Sequence, residues 1–171
     1  MNRKRKVKSI SHSTWTDLRI EIEKNCKRLS ISKEEFSEVN TGKWRELEDR
    51  IWERFSSRKD SRWIWETLKD SCSTIPLYQD NFKLEELVNS SEKTWFLLDE
   101  TVSGKTKFWI YEGTFNAFDK IFWESTFIDE VLVVSKKFEW ILIINHHDLI
   151  IGTGKLKSLI EEIKKNLFLI I

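Results

Sequence analysis

Glycine, proline, cysteine and histidine are all scarce in this 171-residue chain, which holds five glycines, one proline (Pro76), two cysteines and three histidines. So little glycine and proline, beside an apolar fraction of 40% and a charged fraction of 33%, excludes a low-complexity chain and predicts a globular one with disorder confined to its ends. The cysteines, Cys26 and Cys72, form neither a Cys-x-x-Cys nor a zinc spacing, so buried free thiols are expected rather than a disulfide. Histidine is too sparse for an obvious metal centre, and neither a metal nor a cofactor is expected. Long apolar runs are missing as well. The longest, 140–144 and 167–171, fall far short of the roughly 20 residues of a spanning helix. The basic start, Met1 to Ser9, leads into Ile10-Ser11-His12-Ser13 instead of the apolar stretch of a secretory signal. A cytoplasmic protein with no membrane partner is the expectation.

What is present in excess is aromatic surface, nine tryptophans and eleven phenylalanines. Each large ring removes roughly 150–250 Å² from water when buried, so most belong to a core and a minority to recognition surfaces. A chain of this length fits one domain and buries about 70% of its unfolded surface. Net charge is +1, yet Arg3, Lys4, Arg5, Lys6 and Lys8 leave 24 basic against 28 acidic residues in the body. Residues 1–12 therefore read as a basic flexible tail and 13–171 as a single α+β domain. A basic tail on a mildly acidic body is not the stripe of a nucleic-acid-binding fold.

Along the chain, Trp15, Leu18, Ile22, Cys26 and Leu29 recur at spacings of three and four and predict a helix over 13–29, started by Ser13, Thr14 and Asp17. Ser32 and Glu35 repeat the capping signal and predict a short helical turn ending near Asn40-Thr41-Gly42. A second helix is expected over 43–55, with Trp44, Leu47, Ile51 and Phe55 inward and charges of mixed sign outward. Ile64, Trp65, Leu68 and Cys72 predict a third over 61–72, and Pro76 closes this helical half. Residues 83–88 read as a weak helical turn.

Beyond residue 91 the period changes to that of strands. Residues 94–99 and 105–112 predict a hairpin around a glycine-bearing loop, and 114–124 a helix over one sheet face. The apolar runs 130–135 and 138–145 predict a second hairpin, its strands central and covered on both sides. Residues 149–151 add a short strand, and Thr153 is expected to cap a final helix. The fold class is thus α+β, with N-terminal helices (13–90) against an antiparallel sheet of four or five strands, one inserted helix and one C-terminal helix (91–171).

Asn145-His146-His147-Asp148 leaves the most apolar strand directly, the place where functional polar residues emerge on a loop held by a rigid sheet. Adjacent strand residues point to opposite faces, so the two histidines share a ligand only if the strand has already turned. Gly152-Thr153-Gly154-Lys155 lacks the earlier glycine and following hydroxyl of a phosphate loop and reads as a glycine turn before a capped helix. The acid pairs Asp99-Glu100 and Asp129-Glu130 read as exposed turn residues.

The segment 130–154, EVLVVSKKFEWILIINHHDLIIGTG, with Lys107-Phe-Trp-Ile-Tyr-Glu-Gly113 before it, resembles a family of uncharacterised small bacterial proteins over residues 44–154. That resemblance carries no activity and no catalytic residues. By size and aromatic α+β character the chain is also similar in type to immunity proteins that neutralise bacterial toxins. The leading expectation is a non-enzymatic protein-binding module, in its narrower form an immunity protein with a toxin as partner. Its candidate partner-binding residues are Tyr111, Glu112, Trp123, Glu139, Trp140, Asn145, His146, His147 and Asp148. Two alternatives stand beside it: nucleic-acid association through Arg3 to Lys8, and a small hydrolase using His146, His147 and Asp148 with Glu112 or Glu139.

Overall fold

The computed structural model describes residues 17–59, 61–79, 82–100 and 108–168. The basic tail, the start of the first helix, the loop of the first hairpin with Lys105 and Lys107, and the last apolar residues lie outside them. The architecture is α+β: a seven-stranded antiparallel sheet, in the order β1-β4-β3-β5-β6-β7-β2, with four α-helices. The strands are β1 (Phe36–Glu38), β2 (Cys72–Pro76), β3 (Lys93–Glu100), β4 (Trp109–Thr114), β5 (Ile128–Ser135), β6 (Ile141–Ile144) and β7 (Leu149–Thr153), and the helices are α1 (Asp17–Arg28), α2 (Trp44–Phe55), α3 (Phe115–Glu124) and α4 (Lys155–Phe168).

The apolar runs sit where their composition demands. β5 is the middle strand, and every residue of Val131–Val134 and Ile141–Ile144 is buried, because helices or loops cover both faces of the sheet. Antiparallel register puts Phe96, Tyr111, Val133, Leu142 and Gly152 on one face. Three helices pack there. Phe118 of α3 stacks on Phe96 at 4.5 Å, the Arg19 guanidinium of α1 lies 4.9 Å from the Trp109 ring, and Leu156 and Ile160 of α4 press against Gly152. The opposite face carries Trp95, Leu97 and Asp99. It is covered by α2, whose Arg50 sits over Phe138, itself packed on Trp95, and by the 61–66 segment. The buried apolar side chains of all these elements form one connected cluster.

Both edge strands differ from the helical expectation. Ser32 and Glu35 make one half of the anticipated capping contact, the Ser32 N–H donating to the Glu35 carboxylate at 2.9 Å, while the Glu35 N–H donates to the Ser32 backbone carbonyl. The chain then extends, because Phe36 stacks on Tyr111 of β4 and the Val39 N–H finds the Ile110 carbonyl. Residues 61–72 hold only a 3-10 turn at Ile64–Glu66, followed by β2 with Ile75 as its one buried residue. Cys72 is accordingly an exposed strand residue and Cys26 a half-buried helical one, both free thiols. Pro76 ends an edge strand, where its missing N–H leaves no ladder bond unmade. These two edges raise the strand number from the expected four or five to seven.

Thr153 does not cap α4. Its hydroxyl accepts the Ile141 N–H at 3.2 Å inside the sheet, and Gly154, at φ 59°, makes the left-handed turn into the helix. Lys155 is tied to Glu92 at 3.0 Å and lies over the Trp140 ring. The Gly-Thr-Gly-Lys segment is thus a packing junction. A methyl at position 152 would lie 2.8 Å from both Ile160 Cδ1 and Leu156 Cβ. Gly152→Ala is expected to lift α4 and cost about 1–3 kcal/mol; an unchanged urea midpoint would contradict this. Among the described residues no helix is long and apolar enough to cross a membrane.

Candidate functional site

Asn145 ends β6 and organises the turn after it. Although an amide, it is only 2% exposed, because its side-chain oxygen accepts the N–H groups of both His147 and Leu149 at 3.1 Å. Its backbone N–H donates to the Leu149 carbonyl, and its carbonyl accepts from Asp148, which takes the left-handed conformation at φ 57°. Asn145 and Asp148 are therefore turn-forming residues. The strand has turned by position 146, so the two imidazoles share a side, with centroids 4.1 Å apart.

These rings meet two tryptophans from the 61–66 segment. His146 lies 4.9 Å from Trp63 and 6.0 Å from Trp65, and His147 lies 6.0 Å from Trp65. Arg62 also lies over Trp63, its guanidinium 4.5 Å from the ring centre. His147 and Arg62 are exposed, while Trp63, Trp65 and His146 are half-buried. A groove of about 430 Å³ adjoins this patch at Arg62, lined also by Asp49, Trp52 and Glu53 of α2 and by Phe108.

Under the patch lie carboxyls. Glu130 and Asp99 are directly opposed on the central strands β5 and β3, a cross-strand pairing of like groups that is unfavourable when both are charged. Glu130 is 1% exposed and Asp99 7%. Burial pushes the Glu130 carboxyl up to about 8; Asp99 and Asp129 add to the rise, while the Trp65 indole N–H and Arg62 oppose it. Burial likewise lifts Asp99 to about 6, against the Glu100 N–H that donates to it at 2.8 Å. Glu130 Oε2 is 3.4 Å from His146 Nδ1. Its Oε1 and the Trp65 indole N–H are both buried without a hydrogen-bond partner. Burial thus favours the protonated form of Glu130, which lies beside the His146 ring. Among the described residues no group of three His, Cys, Asp or Glu side chains is placed to hold a metal ion.

Of the acid pairs expected at exposed turns, Asp99, Glu100 and Glu130 are therefore buried strand residues, and Asp129 is a half-buried one. A register shift between Asp99 and Glu100 splits that pair, and Glu100 accepts the Leu18 N–H and the Trp109 indole N–H on the α1 side. The remaining sequence candidates are scattered. Tyr111 is buried against Phe36, its hydroxyl raised by burial, and Trp140 is 1% exposed, so neither presents a ring to a partner. Glu112 pairs with Lys136 at 2.5 Å, and the exposed Glu139 follows in the same β5–β6 turn, at the far end of β6 from the histidines. Only Trp123, 46% exposed on α3, offers the anticipated surface ring. Trp63 and Arg62 were not among the sequence candidates; the run Arg62-Trp63-Ile64-Trp65, with two rings beside a cation, is the signal that marks them.

The chain belongs to the Family of unknown function (DUF6756), whose family model matches residues 14–164. No curated protein and no solved structure matches the chain.

Proposed function

We propose that this member of a family of unknown function is a non-enzymatic protein-binding module whose partner surface is the Trp63, Trp65, His146 and His147 patch. The observation that carries the reading is the run of ring contacts at 4.1–6.0 Å that reaches the surface beside Arg62. Tryptophan, half-buried here, and arginine, exposed beside it, are residue types that dominate interface energetics. Rigidity matters because a surface already ordered loses little side-chain freedom on binding. Glu130, the group best suited to proton transfer, is sealed beneath the rings at 1% exposure, which favours recognition over turnover at this patch. An acidic body and the likeness in type to immunity proteins support a bacterial toxin as the partner.

Co-expression with the product of the gene immediately upstream tests the proposal. The two are expected to co-purify, and Trp65→Ala or His147→Ala is expected to weaken the complex by about 2 kcal/mol, roughly thirtyfold, in titration calorimetry. A complex of unchanged affinity in both variants would remove the patch as the interface. Toxicity of that product relieved equally by wild type and by variants that no longer bind would remove the neutralising role.

A further inference from the structure

A pair of more exposed rings stands beside the same turn. The Leu77 N–H donates to the Asp148 carbonyl at 2.8 Å, which fixes Tyr78 next to the β6–β7 connection. Tyr78 is 56% exposed and faces Trp123 of α3, 46% exposed, with ring centroids 6.2 Å apart and planes tilted by 58°. Both are far more open than the rings of the core, where Phe96, Phe115 and Phe118 are fully buried. The Trp123 indole N–H donates to Asp119 Oδ1 at 3.1 Å, which holds the ring in place and leaves the second carboxylate oxygen free of it. Asp119 also lies in the field of Glu85, from the 3-10 turn Leu84–Glu86, and that field and burial both raise its carboxyl. Glu85 is itself only loosely paired, with Lys83 at 3.8 Å, and no cation among the described residues lies within ion-pairing distance of Asp119.

Two exposed rings beside a carboxylate with no cation among the described residues in ion-pairing distance ask for a flat cation. A guanidinium stacks on an indole or phenol face and donates in the plane of its edge to a carboxylate, whereas an ammonium is a compact, strongly hydrated charge that does neither as well. We propose that Tyr78, Trp123 and Asp119 form a docking site for an arginine side chain presented by a partner protein. Glu85 adds long-range attraction. The site is a contact separate from the tryptophan–histidine patch and does not depend on that patch being an interface.

Nuclear magnetic resonance of the full chain tests it, with the Trp123 indole N–H signal identified by its loss in Trp123→Phe. The probe is a blocked Gly-Arg-Gly-Arg-Gly peptide, compared with its lysine and glutamate counterparts. The arginine peptide is expected to shift that signal saturably, with the lysine peptide weaker and the glutamate peptide inert. Asp119→Asn, which keeps the indole hydrogen bond but loses the charge, is expected to weaken binding about tenfold, as is Tyr78→Ala. Three outcomes overturn the site: no shift, a shift equal for all three peptides, or one undiminished in Asp119→Asn and Tyr78→Ala. Arginine-peptide binding that appears only after deletion of residues 1–9 also overturns it, because the chain's own basic tail would then be the occupant. Trp65→Ala leaves the peptide shift intact whether or not the patch binds a partner, so the two proposals fail separately.

Discussion

Folding stability is expected to fall as pH rises from about 5 to about 8, and Glu130→Gln to remove most of that fall. The native carboxyl of Glu130 is held near 8 and that of Asp99 near 6, against ordinary values of 4.5 and 3.8. Within that window the folded chain keeps protons that the unfolded chain has released. The stability these groups permit is thus present below their unfolded values and is lost as pH climbs through their folded ones. For Glu130 alone the loss between about pH 5 and about pH 9 is roughly 3–5 kcal/mol. The two acids are opposed on neighbouring strands, so the titration steps belong to the pair rather than to either residue. Glutamine keeps the volume and cannot ionise. The variant is expected to match wild type near pH 5 and to exceed it by several kcal/mol near pH 9, read from urea unfolding at each pH. A difference between variant and wild type that does not change with pH would refute the buried-acid account.

Trp140→Ala carries the other large effect. As a surface ring its removal would change stability by no more than about 0.5 kcal/mol, whereas excision of a fully buried tryptophan costs about 3–5 kcal/mol. The ring is 1% exposed, its N–H backbone group is held by the Ser135 hydroxyl, and Lys155 lies over it at 5.2 Å. Its position next to Gly154 places it under the β7–α4 junction, where a hole cannot be closed by moving a single side chain. Against a typical total of 5–15 kcal/mol, the loss brings the fold near its threshold. A midpoint shift in guanidinium with the slope preserved is the expected result, and an unshifted midpoint would return Trp140 to the surface.

The contrast between these residues explains what the sequence discloses. Val131–Val134 and Ile141–Ile144 are buried on both faces, so uninterrupted apolar runs announce central strands without reference to anything distant. α2 and α3 likewise show their inward faces in local spacing. Edge strands show no such signal. β2 buries only Ile75, and the helical spacing of Ile64, Trp65, Leu68 and Cys72 coincides with a 3-10 turn and a bend because strand β7 offers five residues of pairing that local propensity cannot reveal. The histidine turn was legible as a candidate because polar residues follow an apolar strand. Its neighbours were not. Glu130 meets Asp99 through a register spanning thirty-one positions, and Trp63 reaches His146 from a segment that looks helical in isolation. Acids beside apolar runs read as turn residues when the strand that extends past them is unseen.

The strand order has a consequence for the protein during its synthesis. β1 and β2 are made first, yet their partners β4 and β7 are made later, with Thr153 completing the last ladder. A nascent chain that has emerged only through Pro76 has exposed both sheet margins and none of the centre they flank. Neither margin can be sealed by local contacts, and β2 waits for β7, more than seventy positions later. Until residue 153 has been made, β2 therefore remains an unpaired strand, and acquisition of this fold waits on that last ladder.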